Sequence, residues 1–351
     1  MNEARQTGEP VVVITGASAG VGRATAREFA RRGYRVALLA RGEERLAAAA
    51  REVEALGGRA IVIPTDVADE TQVDRAADLV IGEFGRIDVW VNNAFAGIFS
   101  FFSDISPAEY RRVTDVTYMG QVHGTRAALR HMLPRDRGSI VLVGSALAYR
   151  GIPLQSAYCG AKHAIQGLID SLRAELLHDQ SKVVITMVQL PGVNTPQFDW
   201  IRARLPGEPR PVGRVFQPEV AARAIHFAAH SKRKEVLVGG PTVKAVWGNK
   251  FFSPLLDRYL ARTGFEAQQG TEPVSPTRRD NLFEPVPGDH GAHGRFDGEA
   301  VDRSAELWAS MHKKDIALAA LGAVAAAGAG FMLAGRSRSE RRAAELEAEG
   351  I

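Results

Sequence analysis

Residues 11–22 read Val11-Val12-Val13-Ile14-Thr15-Gly16-Ala17-Ser18-Ala19-Gly20-Val21-Gly22. A short, unbroken apolar run that ends in glycines is the pattern of a strand buried on both faces of a parallel sheet. A helical pattern follows to about residue 32. Glycines let the backbone turn tightly and come close to a ligand. The helix start then offers free N–H groups and a positive dipole end. A strand, a glycine-rich turn and a helix in that order therefore form a candidate cradle for a pyrophosphate, with Gly16, Ser18, Gly20, Val21 and Gly22 at its edge. The alternative is an ordinary strand-to-helix turn.

Outward from that stretch, strand and helix signals alternate. Strands are predicted at 35–40, 59–64, 88–92, 139–144, 183–189 and 235–238. Helices are predicted after the second and third strands, ending near residues 56 and 84, and at about 107–132, 155–178 and 218–230. This alternation implies an α/β fold, a doubly wound parallel sheet with helices on both faces. The chain has 351 residues, 45% hydrophobic and 24% charged, enough for one large domain with appendages. A net charge of +4 is too weak and scattered for a nucleic-acid partner. With Cys159 the single cysteine, no internal disulfide can form. Its expected role is that of a small buried residue. No histidine pattern has metal-ligand spacing, so no metal is expected.

The second strand ends Leu39-Ala40-Arg41. A carboxylate there would accept hydrogen bonds from the ribose hydroxyls of NAD. Arg41 stands instead, and a guanidinium can bind a 2′-phosphate by a charge-assisted contact. The expected cofactor is NADP(H); the alternative is a solvated loop charge. Tyr158 and Lys162 lie four residues apart on a predicted helix and so share a face. Ser145, thirteen residues before Tyr158, ends a strand at the carboxyl edge of the sheet, where ligands of such sheets bind. A tyrosine whose phenolate is stabilised by a nearby ammonium can give a proton to a carbonyl oxygen or take one from an alcohol. Ser145 would hold the same oxygen, and Lys162 would also reach the ribose. The alternative is a chance spacing on an exposed helix.

The set Thr15 to Gly22, Asp66-Val67, Asn92-Asn93-Ala94, Ser145 and Tyr158-Cys159-Gly160-Ala161-Lys162 resembles the short-chain dehydrogenase/reductase family of Rossmann-like proteins, over about residues 11–240. The resemblance implies catalysis by Ser145, Tyr158 and Lys162. It places Asp66 and Val67 at the adenine ring, Asn92 and Ala94 along the cofactor groove, and Pro191, Val193 and Thr195 at the nicotinamide end. The sequence departs from the family pattern in three places. Phe95 replaces a glycine after Asn-Asn-Ala. Thr117 replaces the asparagine that helps hold a proton-relay water. The loop from Pro191 to Thr195 is one residue short. Phe95, Phe198 and Trp200 are candidates for an apolar substrate pocket, or for helix packing or a subunit interface.

The expected organisation is a flexible N-terminus (1–9) without the apolar run of a secretory signal, a catalytic domain (10–240), a helical extension (241–265) with one apolar side, a disordered linker (266–306), a membrane-anchor helix (307–335) and a charged tail (336–351). The linker is expected from its many Pro, Gly, Asp and Arg residues. The anchor is expected from the uncharged run 316–335, flanked by Lys313, Lys314, Arg336 and Arg338. The anchor is a single-pass or an interfacial helix, and a helix packed on the catalytic domain or on another subunit is its alternative. The resulting expectation is an NADP(H)-dependent oxidoreductase, likewise homo-oligomeric, with a cytoplasmic catalytic domain held at a membrane and a small lipophilic carbonyl or alcohol as substrate. Its rival is a catalytically impaired NADP(H)-binding sensor or scaffold.

Overall fold

The computed structural model describes residues 8–322. Seven strands form the central sheet: β1 (Val11–Thr15), β2 (Arg35–Ala40), β3 (Arg59–Pro64), β4 (Val89–Asn92), β5 (Ser139–Ser145), β6 (Val184–Leu190) and β7 (Glu235–Leu237). All neighbours run parallel, in the order β7-β6-β5-β4-β1-β2-β3. The order reverses beside β1, so the crevice for a ligand opens above the carboxyl ends of β1 and β4. Val11, Val12, Val13 and Ile14 are fully buried, which is why that strand carries no polar alternation.

The flanking helices are α1 (Gly20–Ala30), α2 (Glu43–Ala55), α3 (Glu70–Phe84), α4 (Pro107–Thr114), α5 (Gly120–Met132), α6 (Ser156–His178), α7 (Pro218–Ala229) and α8 (Gly240–Thr263). The single helix expected over 107–132 is interrupted by a π-helical turn, Asp115–Met119. Ser106 and Glu109 form a reciprocal capping box at its start. The extension α8 bends at Phe252, whose φ is −132°, two residues before Pro254. On its apolar side Trp247, Phe251, Phe252, Leu255 and Tyr259 lie exposed, while Pro241, Lys244, Ala245, Leu256, Tyr259 and Leu260 border the cavity described below.

The stretch 266–306 corrects the composition argument. It is not a structureless linker but a strap laid across the catalytic domain. Gln269–Pro273 pairs antiparallel with Gly207–Pro209. Leu282 is 1% exposed within the main core, and Ala292 packs between Ala24 of α1 and Ala222 of α7. Phe296 joins Phe99, Phe198 and Ile201 in a second apolar cluster. Few apolar residues are present, but Leu282, Ala292 and Phe296 each fill a socket while Phe283 stays exposed, and charged side chains supply the rest. Arg23, 3% exposed, pairs with both Glu52 and Asp289 of the strap. Arg278 pairs with Glu208, and Arg295 with Asp199.

The catalytic unit ends at Glu306 and a second unit begins at Leu307, whose described part is helical over 313–322. Among the described residues no helix is long and apolar enough to cross a membrane. Most of the expected anchor, 323–335, and the tail 336–351 lie outside the described residues, as do residues 1–7 of the N-terminus.

Candidate functional site

The crevice at the order reversal opens into a cavity of about 610 Å³. The turn from β1 to α1 forms one wall. Gly16 has φ +66°, and a Cβ there would meet the Ala94 Cα at 2.9 Å. Gly22 lies behind the wall rather than in it: a Cβ would fall 2.2 Å from the Gly16 carbonyl oxygen. The turn is thus a cradle that only glycine leaves open. Gly16, Ser18, Gly20 and Val21 face the cavity.

Asn92 does not line the groove as the resemblance implied. It is 1% exposed, with its Oδ1 accepting from the Trp90 indole at 2.9 Å and its Nδ2 donating to Thr125 at 3.0 Å. A strand residue alternates faces with its neighbour, and Asn93 takes the groove position. The Asn93 Nδ2 donates to the Thr15 carbonyl at 2.9 Å and fastens β4 to the glycine turn. Ala94, Asp66 and Val67 do line the cavity, as do Pro191, Val193 and Thr195. The Asp66 carboxylate pairs with Arg112 at 2.6 Å.

Arg41 also faces the cavity. Its guanidinium donates to the main-chain carbonyls of Asn281, at 2.5 Å, and Phe283, at 2.6 Å. Burial first, and the nearby Arg112 charge second, push its pKa down. Arg45, in the first turn of α2, is 7% exposed and lines the same end. Arg45 escaped the sequence reading, because Arg41 lies in the turn before α2 and no helical spacing links the two. Arg112 and Asn281 were also missed, and no local pattern marks them.

Ser145, Tyr158 and Lys162 meet in the same cavity. The Ser145 hydroxyl faces the Tyr158 hydroxyl and pulls its pKa down, while accepting from the Leu147 N–H at 3.1 Å. The Lys162 ammonium lies 5.5 Å from the centre of the Tyr158 ring and donates to the Val143 carbonyl at 2.6 Å. The expected lowering of the Tyr158 pKa is absent from the chain itself. Burial pushes Tyr158 up, more than the Ser145 hydroxyl pulls it down, and burial pushes Lys162 down to about 7. At neutral pH Tyr158 therefore holds its proton. Cys159 is buried, with its thiol pushed up to about 11 by that burial, so no thiolate stands beside the site.

Phe95 packs edge-on against Tyr158 with ring centres 5.7 Å apart. The Thr117 hydroxyl is occupied in both directions, accepting from the Ala96 N–H and donating to the Ala96 carbonyl, each at 2.9 Å. One turn further, Gln121 donates to the Val143 carbonyl that also accepts from Lys162. Gln121 is 1% exposed and its Oε1 has no hydrogen-bond partner. It too escaped the sequence reading. Phe198 lines the cavity from the second apolar cluster. Trp200 sits between the Arg45 guanidinium, 5.5 Å from its ring centre, and His290 of the strap, 4.6 Å away. That places Trp200 at the arginine-rich end of the cavity. Among the described residues no cluster has the make-up of a metal site.

Known proteins share this arrangement. Residues 10–205 match the short chain dehydrogenase family. The chain is 33% identical to the uncharacterized oxidoreductase YxnA of Bacillus subtilis (strain 168) over 315 residues, 89% of this chain and 88% of that protein. It is 36% identical to the human dehydrogenase/reductase SDR family member 7 over 170 residues, 47% of this chain and 50% of that protein. Among solved structures, a metagenomic short-chain oxidoreductase in complex with NADP superposes with a TM-score of 0.56 at 31% identity, covering 65% of this chain and 96% of that one. A short-chain dehydrogenase from Streptomyces avermitilis superposes with a TM-score of 0.61 at 27% identity, covering 73% and 98%. The family match takes in the glycine turn, Ser145, Tyr158 and Lys162, and a relative one-third identical follows the chain through the strap as well: this protein belongs to the short-chain dehydrogenase/reductase family.

Proposed function

We propose that this oxidoreductase uses NADP(H) to interconvert a carbonyl and an alcohol on a lipophilic substrate. The observation that carries the reading is that Ser145, Tyr158 and Lys162 share one cavity with a glycine cradle at one end and half-buried Arg41 and buried Arg45 beside it. The cradle fits a dinucleotide, since its backbone can approach a pyrophosphate without side chains between. The NADP held by the metagenomic relative points the same way. When bound, the cofactor carries the hydride.

The chain's own residues supply the rest. Tyr158 is protonated at neutral pH, so it can give its proton to a carbonyl oxygen as negative charge develops there. Ser145, beside the Tyr158 hydroxyl, is placed to donate to the same oxygen. Lys162 lies beside Tyr158, and protonating its amine favours the phenolate left behind. Phe95, Phe99, Phe198, Ile152 and Leu256 give the cavity walls of apolar character, which suits a hydrocarbon-rich substrate. A panel of aldehydes and ketones of increasing chain length, followed by the absorbance of reduced nicotinamide, tests this. Rates per KM are expected to rise with chain length by about threefold or more per added methylene, given about 0.8 kcal/mol for each buried CH₂. A preference for short polar carbonyls overturns the lipophilic assignment.

Cofactor choice is tested separately. Arg41→Ala is expected to weaken NADPH binding by about 10- to 100-fold, the loss of a hydrogen bond to a charged group, while NADH binding changes little. Fluorescence titration with each cofactor reads it. Equal losses for both mean that Arg41 does not read the 2′-phosphate. The uncharged run 316–335 is read as an attachment that keeps the catalytic unit near membrane-dissolved substrate.

A further inference from the structure

The strap does more than cover apolar sockets: it runs the length of the cofactor groove. At one end the carbonyls of Asn281 and Phe283 accept from Arg41, with the Leu282 carbonyl accepting at 3.5 Å from Arg41 and at 3.0 Å from Arg112. In the middle, the Gly291 carbonyl accepts from the Gly20 N–H of the glycine turn at 3.2 Å. At the other end Gly294 approaches Thr195 so closely that a Cβ would meet the Thr195 carbonyl oxygen at 2.4 Å. Asn194, fully buried, donates to Asp297 at 2.8 Å and accepts from the Phe296 N–H at 3.0 Å.

A long arginine side chain has many rotamers, and holding it in one costs entropy that a phosphate alone must otherwise offset. Here that ordering is done in advance. The carbonyls at 281–283 are held by Leu282, the one residue of the three that is plugged into the main core, with the Asn281 N–H donating to the Trp200 carbonyl and the Leu282 N–H to Asp280, each at 3.0 Å. Two or three of the five guanidinium N–H donors of Arg41 are held by these carbonyls, which leaves the others for an anion in the cavity.

We propose that the strap is a positioning element for cofactor choice: Leu282 pins the 281–283 carbonyls, these aim Arg41, and discrimination for the 2′-phosphorylated cofactor depends on that pin. The inference rests on the NADP(H) reading above. Linkage makes it reciprocal: whatever aims Arg41 at the phosphate is itself held more tightly when the phosphate is bound.

The test is a double-mutant cycle on cofactor affinity, read by fluorescence titration of NADPH and of NADH against wild type, Leu282→Ala, Arg41→Ala and the double variant. Leu282→Ala is expected to weaken NADPH by about tenfold, within the range of a hydrogen bond to a charged group, and to leave NADH within about twofold. In the Arg41→Ala background Leu282→Ala is expected to add nothing specific to NADPH, because the two act through one contact. A Leu282→Ala protein that loses NADPH and NADH affinity alike, or losses that add, means the strap is only structural and overturns the inference alone. A wild-type protein that binds both cofactors equally overturns the NADP(H) reading and the inference with it. If Leu282→Ala does not fold, hydrogen exchange in the wild type decides. NADPH is expected to slow exchange of the 281–292 amides more than NADH does, and equal protection overturns the proposal.

Discussion

Tyr158→Phe is expected to lower turnover by about 10²- to 10⁴-fold, the usual worth of a positioned general acid, with cofactor binding nearly unchanged. The substitution removes one oxygen and keeps the ring. The edge-on contact with Phe95 and the position of the ring near Lys162 therefore survive. The Ser145 hydroxyl keeps the Leu147 N–H, and because it faces the cavity water can replace the phenol. Burial pushes the Tyr158 pKa up, so the group donates a proton readily only as charge develops on the substrate oxygen. Stopped-flow turnover and a fluorescence titration on the same preparation check both halves of the expectation. A variant that keeps near-native turnover removes Tyr158 from the reaction. One that loses cofactor affinity along with turnover shows instead that the hydroxyl supports the cofactor site.

The sheet was legible because each parallel strand is an unbroken apolar run, as in Val11 to Ile14, and because glycines and helical patterns punctuate the runs. Tyr158 and Lys162 were legible because four residues is one helical turn. Ser145 was legible because it ends a strand. What the sequence hid depends on contacts far apart along the chain. Asn92 and Asn93 are neighbours, and only the pleat of β4 decides which turns toward Thr125 and which toward the glycine turn. Gln121 becomes notable only because its amide and the Lys162 ammonium converge on one carbonyl. The strap was misread for a related reason. Composition argues against an independent core in 266–306, and that holds: the stretch has none. It borrows cores from elsewhere, through Leu282, Ala292 and Phe296, and it pairs Asp289 with Arg23 across 266 residues. A scan that sums apolar content over a window cannot register a socket built by other segments.

That difference sets where the chain can be cut. Ending it after Glu306 keeps the whole catalytic unit, strap included, so melting temperature and cofactor affinity are expected to match those of the full-length protein. Ending it after Arg262 removes every strap contact while sparing Ser145, Tyr158 and Lys162. The sockets of Leu282 and Phe296 then open to water, at about 1.5–3 kcal/mol each. Arg23, 3% exposed, loses Asp289 but keeps Glu52, and the Gly20 N–H and the Arg41 guanidinium lose their carbonyl partners. Some of this loss is offset by the freedom the strap no longer gives up. A net loss of about 3–4 kcal/mol corresponds to a fall in melting temperature of about 10 °C for a domain of this size. Differential scanning calorimetry on the two truncated forms checks it, and a shorter form as stable as the longer one would show that the strap adds nothing to the fold. Fractionation adds a second comparison, since the form ending at Glu306 lacks the run 316–335. Full-length protein is expected to sediment with membranes and the Glu306 form to remain in the supernatant. Full-length protein that stays in the supernatant without detergent makes 316–335 a packing helix rather than an attachment. The stability difference between the two truncated forms is independent of that outcome, because it arises wholly within residues 8–306.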